Sequence, residues 1–415
     1  MSPPDTGAAA TAAAGEATRI AVAGLLLMVV AMGVGRFAYT PLLPGLREAL
    51  GWSLAQAGDV ASANYFGYVA GALVAATIAG ASRQRRWLVA GALGSALTTG
   101  AGVAVASGYG WLALRAASGV ASAFVLVLGT ALVTRRLLAL GRPQLIALHF
   151  AGVGIGILFT VFLIEAARGA GLSVFGEWAA LGVACIGCAI PALVMLLRAG
   201  RADAGPLSPG GATAARAAVA GIAPGAAAAV APPAAPPHLL ARLITAYGLF
   251  GFGYVVTATF IVEMARGLPE ARLAEPLAWL AVGLGAVPST AFWQRVAARI
   301  GTWRALRVAF VTEAVGVLLA GYGAGVVAVA VGGLLLGGTF VGITALGLAA
   351  GRRIAPMRAD RVIGWMTAAF GLGQWIGPAV AGRLAEASGS FGAPSLLAAG
   401  LLAVGFMLLR TSGEP

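Results

Sequence analysis

The chain has no lysine, since all 27 of its basic residues are arginine. A nucleotide-binding P-loop needs a lysine to reach the β- and γ-phosphates, so the protein is not its own ATPase. Charge of either sign is scarce: 10% of residues are charged, against about 25% in soluble domains. With 60% hydrophobic residues and a mean hydropathy of +0.93, an ordinary soluble globule is excluded and a polytopic membrane protein is required. Cysteine and histidine number two each. Cys185 and Cys188 have C-x-x-C spacing, but they lie in an apolar segment with no second cysteine pair and no histidine close in sequence to complete a metal tetrahedron. They read as packing residues, and neither a metal nor another cofactor is expected. No serine, histidine and aspartate in triad order and no paired catalytic carboxylates are visible, so the chain does not read as an enzyme.

What is present is a succession of apolar windows of about 20 residues, each long enough to cross a bilayer. They fall at 19–43, 55–80, 87–107, 111–134, 144–165, 177–198, 239–264, 276–295, 305–326, 328–350, 362–384 and 392–410, which makes twelve transmembrane helices in an all-α membrane protein. Residues 1–18 are Ala-rich and expected to be a disordered cytoplasmic N-terminus. The apolar run that follows is too long for a secretory h-region, so no cleaved signal is expected. Residues 19–198 then form an N-terminal six-helix bundle and residues 239–410 a C-terminal one. Between them, 199–238 is rich in Ala, Pro and Gly and too poor in large apolar residues to pack, which predicts a flexible cytoplasmic linker; 411–415 form a cytoplasmic tail.

The net charge of +13 does not point to nucleic acid, because the arginines sit in the short gaps between apolar runs. Alternate gaps are rich in them: Arg83, Arg85 and Arg86; Arg135, Arg136 and Arg142; Arg295, Arg299 and Arg304; Arg352, Arg353 and Arg358. The intervening gaps hold Arg47, Arg168, Arg266, Arg272 and Arg383. By the positive-inside rule the first set is cytoplasmic, and both termini are expected inside a multi-pass cytoplasmic membrane protein.

The two halves echo each other. Gly33-Val34-Gly35-Arg36 is matched by Gly251-Phe252-Gly253-Tyr254 at an offset of 218, and Phe124-Val125 and Arg135-Arg136 are matched by Phe340-Val341 and Arg352-Arg353. Duplicated halves around a midplane site are a secondary-transporter architecture.

Arg36 is the most informative residue. A charged side chain inside a membrane helix costs about 2.5 to 3.5 kcal/mol even on lenient scales, so such residues face a cavity, a partner or a substrate path. Pro41 lacks an N–H, so the carbonyl of Phe37 loses its helical partner and a bend is expected. Arg36, Asp59 and Arg115 fall in the outer half of their spans, where opposite charges at one depth invite pairing. Either Asp59 exchanges a proton while the arginines meet substrate, or the group is a fixed lock between helices. Tyr39, Asn64 and Tyr68 are further candidates for binding substrate, with Tyr254, Thr257, Gln374 and Trp375 as their counterparts in the second half. Glu313 lies deep in its span.

At Gly35-Arg36-Phe37-Ala38-Tyr39-Thr40-Pro41-Leu42-Leu43-Pro44, at Ala61-Ser62-Ala63-Asn64-Tyr65-Phe66-Gly67-Tyr68 and at Phe370-Gly371-Leu372-Gly373-Gln374-Trp375-Ile376-Gly377-Pro378, the chain resembles the major facilitator superfamily, within it the YbfB/YjiJ-type branch. The resemblance implies alternating access between two six-helix bundles. It implies a coupling role for Arg115, whose Arg115-Ala116-Ala117-Ser118-Gly119 resembles the superfamily's R-x-x-x-G motif. It also implies a gating loop, carried by Arg83, Arg85 and Arg86 and by Arg299, Gly301 and Arg304. Both copies of that loop lack the family's acidic residue, and the span-five glycines lack the proline of the drug-antiporter motif. The reading is a secondary active transporter for a small organic solute, coupled to protons, seated in the lipid bilayer as a monomer and binding no nucleic acid. The alternatives are an efflux pump for hydrophobic compounds and a non-transporting membrane sensor or scaffold.

Overall fold

The computed structural model describes residues 6–198, 237–355 and 358–409. The expected linker 199–238, apart from Pro237 and His238, and the tail 411–415 lie outside the described residues. The described residues form helices and no strand, and ten of the helical stretches are long and apolar enough to cross a membrane. In the first half these are α1 (Thr6–Met28) with α2 (Tyr39–Leu50), α3 (Leu54–Thr77), α4 (Ala81–Gly100), α5 (Gly108–Phe124) with α6 (Thr130–Ala139), α7 (Ile146–Gly169) and α8 (Val174–Arg198). The second half supplies α9 (Pro237–Arg266), α10 (Ala271–Ile300), α11 (Thr302–Tyr322) and α12 (Val326–Ile354). Two further helices follow, α13 (Ala359–Ser388) and the shorter α14 (Gly392–Leu408).

The N-terminal stretch differs from expectation, because α1 begins at Thr6, inside the segment read as disordered. Alanine is the best helix former, and a run of it propagates a helix that the apolar segment has already nucleated.

The first rod is long and interrupted. Its stretch from Ala13 to Leu50 covers 38 residues, α1 passing through a π-helical segment, Val29–Val34, and a turn before α2 resumes. Arg36 therefore lies roughly 20 Å from the Leu50 end at the ordinary rise per residue, deeper than a span ending at residue 43 would put it. A second π-helical segment, Val125–Gly129, joins α5 to α6.

The joints before α4 and α11 are alike. Gly80, before α4, has φ of +87°, and Gly301, before α11, has φ of +88°, a region that side chains disfavour. Each glycine accepts a bond from the residue four places on, Gln84 or Ala305, at 3.0 Å. The halves meet along α3 with α13, α7 with α10, and α2 with α9. Thr40 Oγ1 donates to Ala258 O at 2.7 Å, and Arg266 Nη1 donates to Glu48 Oε2 at 3.2 Å, each across the offset of 218 residues. Both contacts join positions separated by the offset of the sequence echo.

Candidate functional site

Pro41 sets up the site by interrupting the first rod. Thr40 N donates to Phe37 O at 3.2 Å, one residue short of an α-helical bond, so the carbonyl of Arg36 is released. Arg115 on α5 collects the loose carbonyls. Its Nη1 donates to Gly35 O and its Nη2 to Arg36 O, both at 3.0 Å, while Ser118 Oγ also donates to Gly35 O at 3.0 Å. Its guanidinium lies 5.0 Å from the centre of the Tyr39 ring. Four residues on, Gly119 lets α5 press against α3, since a Cβ there would sit 2.7 Å from Tyr68 N and collide with Asn64 O. Asn64 Nδ2 completes the joint by donating to Arg115 O at 3.0 Å. The Arg-x-x-x-Gly motif is therefore a clamp on a broken helix.

Arg36 is the cation this clamp leaves over. It is 5% exposed, and its guanidinium lies 4.2 Å from the Tyr68 ring centre and 4.6 Å from that of Tyr65. Cation–π attraction in such a dry setting is worth about 2 kcal/mol, which offsets much of the burial cost. Among the described residues no carboxylate accompanies it, and Nε and Nη2 have no hydrogen-bond partner. The expected pairing with Asp59 is corrected by the structure: Asp59 is held by Arg383 of α13, Nη1 to Oδ1 at 2.6 Å and Nη2 to Oδ2 at 2.9 Å. Asp59 lies only one turn into α3, too far along the helix from Tyr68 to reach the same cation.

The second half faces Arg36 with rings. Tyr254 lies between Phe340 and Phe370, parallel to both within 3° at 5.5 and 5.7 Å, and the Arg36 charge acts on it electrostatically. Its hydroxyl accepts from Gln374 Nε2. Phe37 meets Phe340 at 6.0 Å and Trp279 at 6.4 Å, so one wall is continuous across the halves. Gln374 Oε1, Asn64 Oδ1 and Thr257 Oγ1 are buried with no partner. Each is a buried polar atom whose hydrogen-bonding capacity is left unused among the described residues.

Other expected residues lie elsewhere. Tyr39 spends its hydroxyl on Ala57 O at 2.8 Å and serves the clamp. Trp375 is 43% exposed and leans on exposed Phe66 at 5.2 Å, away from the stack. Arg83, Arg85 and Arg86 open α4, and Arg299, Gly301 and Arg304 surround the α10–α11 joint, far from Arg36. Tyr65, Phe340 and Phe370 belong to the site but were not singled out. The repeat was the available signal, since Phe340 stands in the Phe-Val echo and Phe370 opens the α13 glycine run.

The two ends of the molecule differ. At the end carrying Arg47 and Glu386, four ion pairs among the described residues join the halves: Arg47 with Glu263, Arg168 with Glu275, Arg266 with Glu48, and Arg383 with Asp59. Toward the arginine-rich end, α3 and α13 part around a cleft of about 90 Å³ lined by Tyr68, Ala72, Ala76, Gly364, Phe370 and Gly371. Tyr68, whose ring lies against Arg36, and Phe370, which stacks on Tyr254, both line this cleft.

Two solved structures share the fold. One is the human organic anion transporter MFSD10 (TETRAN), at 19% identity and a TM-score of 0.60 over 99% of this chain and 100% of that one. The other is a mutant of the nucleoside transporter NupG, at 14% identity and a TM-score of 0.71 over 95% of this chain and 100% of that one. No curated protein matches the chain in sequence. A family model described as the uncharacterised MFS-type transporter YbfB matches residues 28–410, so the chain is a multi-pass membrane protein that belongs to this transporter family of the major facilitator superfamily.

Proposed function

We propose that the protein is a secondary active transporter for small organic anions, working by alternating access and coupled to protons. The observation that carries this reading is Arg36: a buried guanidinium, stacked on tyrosines, with two nitrogens, Nε and Nη2, that find no acceptor among the described residues. A planar carboxylate would satisfy both donors as a fork, and an apolar ring attached to it would lie along Phe340 and Tyr254. An efflux pump for hydrophobic cations is disfavoured by the same charge. The human structural relative is an organic anion transporter, which agrees with this class of cargo.

Twelve spans in two bundles, with both termini cytoplasmic, fit the arginine distribution and the two helices that follow the ten long apolar ones. In that orientation the ion-paired end is outside, and the cleft beside Tyr68 lies toward the cytoplasm. Asp59 and Arg383 then belong to the outer closure, where separating the halves must break their pair.

Uptake into proteoliposomes with an imposed pH gradient, run against a panel of aromatic and aliphatic carboxylates and their neutral amides, tests the reading. Accumulation of at least one carboxylate, abolished by a protonophore and absent for its amide, is expected. Transport confined to cations or neutral solutes would overturn it.

A further inference from the structure

Glu313 stands in the middle of α11, away from the site, and is fully buried. Neither carboxyl oxygen receives a hydrogen bond. The other membrane carboxylates near the halves' interface have arginines: Asp59 has Arg383, Glu263 has Arg47, Glu275 has Arg266, and Glu177 has Arg168. Glu313 has none. α11 packs against α9, α10, α12 and α14. α14 carries no titratable residue, α12 has Arg352 and Arg353 only in its last turn, and α10 has its arginines and Glu275 toward its ends. On α9 the nearer groups are Tyr247 and Tyr254, which are committed to Thr344 O and Gln374. Arg304 and Arg307 lie at the start of α11, and no charge on any of these helices acts on Glu313. An ionised carboxylate so placed costs several kcal/mol.

Its polar neighbour is the hydroxyl of Thr339 on α12. That hydroxyl already spends its single proton on Leu335 O at 2.6 Å, shared with Leu336 O at 3.1 Å. With that proton spent, it can accept from a protonated Glu313 carboxyl but has no proton left for an ionised one. The helix beside it is gripped from α10. Ser289 Oγ of α10 donates to Gly338 O at 2.8 Å and accepts from Gly342 N at 3.0 Å, touching both backbone groups of one helical turn. Trp293 Nε1 adds a second bond to Gly338 O at 2.7 Å. These contacts bracket Thr339 and Phe340, so the residue next to Glu313 is followed in sequence by the ring that stacks on Tyr254 and meets Phe37.

We propose that Glu313 is a proton-binding site of the second half, holding its proton against Thr339 in this conformation and releasing it when α12 rearranges around Ser289. On release the carboxyl O–H bond breaks, its electron pair stays on the carboxylate, and the proton passes to water admitted along α12. The shift of Thr339 moves Phe340, and with it the wall opposite Arg36. The inference rests on the proton-coupled reading above.

The test uses the full chain in lipid nanodiscs, with the proton itself as probe. Infrared difference spectra between acidic and alkaline buffer are expected to contain a carboxylic-acid C=O band that shifts in deuterium oxide. The band should be lost in Glu313→Gln, displaced in Glu313→Asp and retained in Glu263→Gln, with thermal melts showing that each variant folds. A band unchanged in Glu313→Gln, or wild type with no titrating band, overturns the proposal. The two readings fail separately: pH-driven accumulation without a Glu313 band leaves the transporter and removes this site, whereas a Glu313 band without pH-driven accumulation leaves the site and removes the coupling.

Discussion

Arg36 and Tyr254 hold matching places on the first helix of each half, at the same offset of 218 residues that separates Thr40 from Ala258. The helices around them could hardly differ more. The first is broken by a π-helical segment, a turn and Pro41, and needs Arg115 and Ser118 to satisfy its carbonyls. The second, α9, runs unbroken for 30 residues and presents its tyrosine between two parallel rings. Under the proposed function, a duplicated scaffold divides the work of recognition: one half supplies charge on a backbone free to bend, and the other supplies a flat apolar wall on a rigid rod. A ligand that used both would carry a negative group at one end and a ring or chain at the other.

The comparison breaks most visibly at Arg115. Two charge-assisted hydrogen bonds hold the interruption, so Arg115→Ala is expected to cost about 3 to 6 kcal/mol of stability. A thermal melt in detergent would reveal it as poor yield and an early transition, and Arg115→Lys should rescue only part, because one ammonium cannot span both carbonyls in the same fork. A melt like that of wild type would mean that the break in the first rod holds without the clamp.

A smaller effect is expected on the other half. Tyr254→Phe keeps the stack with Phe340 and Phe370 and loses the bond from Gln374, a net change of about 1 kcal/mol. Counterflow of a carboxylate found to be transported should show a KM raised less than tenfold with its maximal rate little changed. Loss of folding would place Tyr254 among the structural residues instead.

Much of this division could be read in the sequence. An arginine inside an apolar run is costly wherever it falls, so Arg36 stood out without a fold, and the repeat pointed from it to Tyr254. The break near Pro41 followed from a missing N–H. The partners were harder to see. Asp59 meets Arg383 across 324 residues, and nothing in the local pattern of either helix shows which cation an acid will find when two halves fold together. Arg115 was read as a coupling residue because its motif resembles one, yet its hydrogen bonds go to carbonyls whose need arises from the break in another helix. Trp375 shares a helix with Gln374 but projects about 100° away, which is enough to move it from the site to the exposed face.

The most direct test of the division of labour is counterflow in proteoliposomes with a transported carboxylate and its isosteric amide, comparing wild type with Arg36→Ala and Arg36→Lys. A guanidinium fork on a carboxylate predicts that wild type prefers the acid by at least about tenfold, the energy of a charge-assisted bond. Arg36→Ala should fold, since no buried acid is left unpaired, yet lose that preference together with most of its transport, and Arg36→Lys should recover only part of both. An Arg36→Ala protein that still carries the carboxylate at the wild-type rate and preference would contradict the account.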